Sequence, residues 1–273
     1  MTQTPIVSPG IYDITNDEYH EGSGISKTGI KEFMKSPMHY WERYVRPDRK
    51  PAPKSPQMTF GSAFHIMVLE SHLFKNEVAI MPNVDRRTKV GKEEFDKFNA
   101  EHGKKIIISA DEFEILKVMA EKILSNPTAR KLIEGGQYER SIYYNDDETN
   151  LLCKTRPDIL HGHFIADVKT AADASFTAFQ RDMFNYGYHL QAAMCFDGVN
   201  KILQTEMQEF VFIVIEKLPP YAVAIYALDL DSIEFGRNKY RSELVKLKQC
   251  MNENEWPSYE SRVISLPTWA LNQ

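Results

Sequence analysis

From Ser141 to Leu228 the apolar residues change period twice, and few architectures accommodate that change. Ser141 to Tyr144, Leu151 to Arg156 and Phe164 to Lys169 are short segments rich in β-branched and aromatic residues. Turn chemistry at Asn145-Asp-Asp and Leu160-His-Gly-His163 separates them, which predicts three strands. A helical pattern from about Ser175 to Leu203 follows, then two further strands, Glu209 to Ile215 and Tyr221 to Leu228, around Leu218-Pro-Pro220. A last helix is expected from about Ser232 to Met251, with an extended tail. Strands, then a helix, then strands imply an α/β chain: a mixed central sheet flanked by helices.

The N-terminal part, 1–135, reads as mainly helical. Ser26 can cap a helix through Lys31-Glu-Phe-Met34, and Ser36-Pro37 ends it or starts another. Proline density from Arg46 to Pro56 predicts a loop, and Gly61 to Leu73 an apolar helix that carries His65. Polar residues from Pro82 to Lys92 precede helical patterns at Lys92 to Glu101 and Glu112 to Leu124, the latter capped by Ser109 or Asp111. No linker separates pieces large enough to fold alone. A single domain over 1–273 is therefore expected, with a catalytic core at 136–230 and a C-terminal helix and tail at 231–273.

Three cysteines without CxxC spacing encode neither a disulfide framework nor a zinc knuckle, and a reducing cytoplasm fits. The longest apolar runs, such as Phe210 to Ile215, fall far short of a membrane span, and the polar start Met1-Thr-Gln-Thr4 does not read as a leader. A formal charge of -5 argues against nucleic-acid binding through bulk charge, so any DNA contact has to be locally arranged.

Arg156-Pro-Asp158 lies near the end of one expected strand and Asp167-Val-Lys169 on the next. Alternation places Asp167 and Lys169 on one face, and a hairpin can bring Asp158 beside them. Two carboxylates with an amine suit Mg²⁺ or Mn²⁺ and the hydrolysis of a phosphodiester. An isolated Asp-x-Lys is more often an ordinary salt bridge; the preceding Asp158 and the element order argue for more.

In that order the chain resembles the PD-(D/E)XK nuclease superfamily, whose core is αβββαβ, and its RecB-like branch. More closely it resembles the exonuclease VIII (RecE) C-terminal nuclease family of phages and prophages. The resemblance rests on Ile25-Ser-Lys-Thr-Gly29, Phe60-Gly-Ser-Ala-Phe-His65, Leu69-Glu70, Asp85-Arg-Arg-Thr-Lys89, Arg156-Pro-Asp158, Asp167-Val-Lys-Thr170 and Gly187-Tyr-His-Leu-Gln191, among other short motifs. Asp167 stands where many superfamily members have Glu.

The resemblance implies a Mg²⁺-dependent 5′ to 3′ exonuclease on linear double-stranded DNA. It would leave 3′ overhangs for recombination and work as a trimeric or tetrameric ring with a RecT-like annealing partner in a bacterial cytoplasm. By position, Asp158, Asp167, His65 and the backbone carbonyl of Val168 would hold the metal, with Mn²⁺ a plausible substitute, and Lys169 would be the catalytic lysine. Without the resemblance, His65 in an apolar helix is more often a core histidine bonded to a carbonyl. Glu139 either orients the metal water or the Lys169 amine, or is a solvated strand-start residue. Tyr188 and Gln191 share a helix face and either address the DNA strand or pack. Arg86, Arg87, Lys89 and Lys92, with Arg156, are candidates for holding DNA phosphates, against the reading of a solvated loop. A PD-(D/E)XK endonuclease, a single-strand nuclease or an inactive DNA-end-binding module remain alternatives.

Overall fold

The computed structural model describes residues 8–49, 55–85 and 87–271. Its framework is a five-stranded sheet in the order β10-β9-β8-β7-β4. The strands are β4 (Gln137–Tyr138), β7 (Ile159–Leu160), β8 (Phe164–Ala171), β9 (Glu209–Glu216) and β10 (Val223–Leu228). β8 and β9 pair in parallel and the other neighbours are antiparallel, so the sheet is mixed as expected. Parallel strands need a covered crossover. Here it is made by α9 (Phe176–Tyr186) and α10 (Tyr188–Leu203). With helices on both faces, β9 reads as a near-continuous apolar run, Phe210 to Ile215, all of it buried.

A second sheet, β1-β5-β6, contains β1 (Gly10–Tyr12), β5 (Ser141–Asn145) and β6 (Leu152–Thr155). β5 and β6 form an antiparallel hairpin whose far ends continue into the other sheet as β4 and β7. The hairpin therefore crosses from one sheet to the other at Glu139-Arg140 on one arm and Arg156-Pro-Asp158 on the other. Pro157 has no N–H to give to a ladder, which favours the break there. A bond from the Glu139 N–H to the Asp158 carbonyl, 3.1 Å, ties the two arms together at the crossing. This corrects the expectation that Arg156-Pro-Asp158 lies on a strand: it is the link between two short ones.

The N-terminal part is mainly helical. α1 (Asn16–Glu21) opens on a Thr15/Glu18 capping box, α2 (Lys27–Lys35) on Ser26, and α3 (Pro37–Tyr40) on Ser36 with Pro37 in its first turn. α4 spans Pro56–Leu69, starting and ending earlier than the helix expected at Gly61 to Leu73, because Ser55 caps it and Pro56 suits a first turn. α5 (Phe74–Glu77), α6 (Lys89–His102), α7 (Ala110–Ser125) and α8 (Pro127–Ile133) follow. Between them, β2 (Val78–Met81) and β3 (Ile106–Ser109) form a parallel pair that sequence patterning does not reveal. C-terminally, α11 (Leu230–Glu253) packs on α10 and α2, and α12 (Thr268–Leu271) ends the described chain.

The expected helix from Ser175 to Leu203 is two helices. Gly187 separates them at φ +68, and a Cβ there would lie 3.1 Å from Leu190 and 3.2 Å from the Lys31 side chain, so glycine is required on both counts. The cysteines are free, with Cys153 and Cys195 buried. Two buried clusters cover the large sheet. One joins Ile165, Phe210, Phe212 and Val214 to α2, α10 and α11. The other joins Ala166, Val168, Ile213 and Ile215 to α4, α7 and α8. Alternation along β8 thus sends Asp167 and Lys169 towards α10, while α4 lies on the opposite face. No described helix is long and apolar enough to cross a membrane.

Candidate active site

The hairpin crossing supplies the first carboxylates. Glu139 adopts a left-handed backbone conformation, φ +49, which costs a residue with a Cβ about 1–2 kcal/mol. That strain is held where Glu139 and Asp158 face His65 of α4. His65 Nδ1 lies 3.6 Å from Glu139 Oε1 and 3.5 Å from Asp158 Oδ2. One ligand atom from each of the three residues fits within a 4.8 Å span. Asp158 is fixed by a 2.8 Å bond that its Oδ2 accepts from the Val168 N–H, so strand β8 positions it through its backbone.

Asp167 and Lys169 stand beside this cluster. Asp167 is wholly buried and forms an ion pair with the Lys169 ammonium. Gln191, on the first turn of α10, bridges them: its amide N donates to Asp167 Oδ2, and its Oε1 accepts from Lys169 Nζ at 3.3 Å. These two bonds fix the orientation of the amide. Tyr188 lies beneath the lysine, with Nζ 4.7 Å from its ring centroid, so cation–π attraction adds to the ion pair.

Charges of both signs crowd the site, Glu139, Asp158 and Asp167 against His65, Lys169 and Arg156. Burial, together with the Asp158 charge, pushes Asp167 up to about 6, against the opposing effect of Lys169. Burial raises Asp158 as well, opposed by His65 and Lys169. At His65 burial disfavours the imidazolium, yet the Asp158 and Glu139 carboxylates outweigh it and raise the ring to about 9. Burial would likewise lower Lys169, but Asp167 and Asp158 raise it above the usual lysine range, so its ammonium stays protonated. Carboxylate oxygens and an imidazole nitrogen fit a divalent cation, whose charge would replace the proton on His65. Oxygen donors suit Mg²⁺, and the imidazole suits Mn²⁺ at least as well.

Four expected ligands and catalytic residues, His65, Asp158, Asp167 and Lys169, thus converge. Val168 contributes its N–H to the site through Asp158. Glu139, which the sequence left between an orienting role and solvation, belongs to the three-residue cluster, while Asp167 faces Lys169 and Gln191. Arg156 is half-buried within the protein, with Nε 2.9 Å from Glu139 Oε2 and its guanidinium 5.6 Å from the Tyr19 ring. It holds Glu139 and does not project as a free phosphate contact. Arg87 and Lys89 are 92% exposed on their side chains and sit near Asp85 and Glu93; Lys92 also lies on the exposed surface. Arg86 lies outside the described residues.

Lys27 also reaches the site, a position that no pattern in the sequence marks. Its Nζ lies 5.6 Å from the Tyr188 centroid, so two ammonium groups share one ring. Burial and the Lys169 charge lower it to about 8. The signal was the motif Ile25-Ser-Lys-Thr-Gly29, which carried the resemblance without indicating this position.

The model of the family described as "PDDEXK-like domain of unknown function (DUF3799)" matches residues 26–264. No curated protein sequence matches the chain significantly. Among solved structures, one described as a "Putative exonuclease" from Eubacterium rectale aligns at TM-score 0.63 and 16% identity, covering 96% of this chain and 98% of that one. SSO0001 aligns at TM-score 0.29 and 11% identity over 68% of this chain and 86% of its own, too distant to bear on the argument. The first of these supports the fold, and the family match extends from the start of α2 through the whole crossing hairpin to the tail. With acid, acid and lysine placed around that crossing, the chain belongs to the PDDEXK-like family and carries its nuclease fold.

Proposed function

We propose that the protein is a metal-dependent exonuclease that degrades linear double-stranded DNA from 5′ to 3′. The observation that carries this reading is the His65, Glu139 and Asp158 cluster set beside a protonated Lys169. Mg²⁺ is the proposed ion, with Mn²⁺ as a substitute. Held by His65, Glu139 and Asp158, the ion would supply the positive charge that offsets the phosphate and acidifies the attacking water.

The chain's own residues do the rest. Lys169 keeps its proton on Nζ and presents positive charge where negative charge grows on the phosphate oxygens. Asp167 and Gln191 hold that ammonium in place, and Tyr188 supports it from below. Arg156 steadies Glu139, and the Val168 N–H steadies Asp158. Orientation by such supporting contacts is worth a factor of about 10–100 in comparable sites.

The finer assignments belong to this proposal as well. Resection would leave 3′ overhangs for a RecT-like annealing protein in phage-type recombination inside a bacterial host. A trimeric or tetrameric ring would keep an acidic chain on DNA by enclosing it, with basic segments such as Arg87 to Lys92 turned inward. Incubation of 5′- and 3′-labelled linear duplexes and covalently closed duplex with Mg²⁺ tests the reading. Loss of 5′ label from linear DNA, sparing closed circles and abolished by Lys169→Ala, is expected. Cleavage of closed circles would indicate an endonuclease, and full turnover by folded Lys169→Ala would refute the site.

A further inference from the structure

The corner between α9 and α10 leaves aromatic side chains in solvent beside the site. Phe184 is 65% exposed and Tyr186 54%, although both are large enough to favour burial. Each rests on a ring beneath it. Phe184 stacks on His189 at 5.8 Å and 9° between planes, and Tyr186 stacks on Tyr188 at 5.7 Å and 30°. Tyr188 in turn lies under Lys169. A continuous line of contacts therefore runs from the exposed Tyr186 ring to the ammonium in the candidate active site.

Two lysines, with Asp182 of α9 nearby, are anchored at the same corner. Lys27 Nζ donates to the Tyr186 carbonyl at 3.3 Å, and Lys31 Nζ to the Asn185 carbonyl at 2.6 Å, which satisfies the last carbonyls of α9 and anchors both cations next to the rings. Each ammonium has three donors, so donors remain beyond these bonds. Exposed aromatic faces flanked by fixed cations match unpaired nucleotides, whose bases stack on the rings while their phosphates meet the lysines. An apolar protein surface would complement the rings but leave the adjacent cations without counter-charge.

We propose that Phe184 and Tyr186 form a base-stacking platform for single-stranded DNA, flanked by Lys27 and Lys31, that guides unpaired nucleotides at the site. The inference rests on the nuclease reading for its biological meaning, but not for its test. Binding of fluorescein-labelled oligothymidylate to chelator-treated protein, read by anisotropy at low salt, requires no catalysis. Phe184→Ala and Tyr186→Ala should each weaken binding about 5- to 150-fold, the range expected for one stacked base. Tyr186→Leu keeps apolar bulk and should lose nearly as much, whereas Tyr186→Trp should retain binding. Leu218→Ala, an exposed apolar side chain in the β9–β10 turn, should change nothing.

Oligothymidylate binding that is absent in the wild type, or unchanged in the Phe184→Ala/Tyr186→Ala double variant, would overturn the platform. So would a loss of mass in light scattering on making the double variant, which would mark the corner as an interface between copies. Platform-dependent binding without DNA cleavage would leave the inference standing and remove the nuclease reading. Cleavage with binding insensitive to these variants would do the reverse.

Discussion

Asp167→Asn removes a carboxylate that the fold ionises at a cost. The side chain is wholly buried on β8, and burial with the Asp158 charge raises it from 3.8 to about 6 even with Lys169 attached. A carboxyl raised in the folded state binds its proton more tightly there than in the unfolded chain. Its contribution to stability is therefore complete below the unfolded value and is lost as pH rises through about 6. Above that range the ionised group weighs against the fold by ~3 kcal/mol relative to a neutral isostere, a large share of the ~5–15 kcal/mol by which domains are stable. In chelator, urea unfolding at about pH 8 should show Asp167→Asn more stable than wild type by ~3 kcal/mol, with the gap closing towards about pH 4. A saturating divalent cation should shrink the difference, because positive charge held by His65, Glu139 and Asp158 favours the ionised form of the neighbouring Asp167. Equal midpoints at about pH 8, or a gap indifferent to pH, would refute the claim that burial disfavours the ionised Asp167.

Other consequences are open to direct measurement. Because His65 is raised to about 9 and must be neutral to bind a metal, Mn²⁺ affinity in calorimetry should climb close to tenfold per pH unit between about pH 6 and 8, with proton release; a flat profile would remove His65 from the ligand set. Gln191→Ala should lower kcat about 10- to 100-fold and also cost ~1–3 kcal/mol in urea, since it removes the amide donor to the buried Asp167 and the acceptor for Lys169; unchanged turnover would deny it a positioning role. Gly236→Ala should destabilise by at least ~2 kcal/mol in urea, because its Cβ would lie 2.3 Å from the His189 carbonyl where α11 crosses α10; wild-type stability would show that the helices separate freely.

Much of the architecture is legible in local pattern. The shift from alternating to helical period and back places β5, β6, β8, β9, β10 and the helical stretch between β8 and β9 within a few residues, though not its division into α9 and α10, because each buries a face whose spacing the backbone dictates. Alternation alone puts Asp167 and Lys169 on one side of β8. Ser26, Ser36 and Ser109 announce helix starts because their hydroxyls satisfy backbone donors one turn on.

What needed the third dimension is everything set by contacts distant in sequence. β4 and β7 are two residues each, too short to leave a period, and exist because a hairpin crosses between sheets. β2 and β3 pair in parallel across the whole of α6, so no local turn marks them. That same crossing turns Glu139 from an ambiguous strand-start residue into a partner of Asp158 and His65, and turns Arg156 inward to hold it. His65 approaches from the helical layer on the face of the sheet opposite α10, which carries Gln191, so the cluster assembles only when both layers close on β8. Residue spacing along a chain encodes which face a side chain occupies; which faces meet is decided by the packing of the two cores against one sheet.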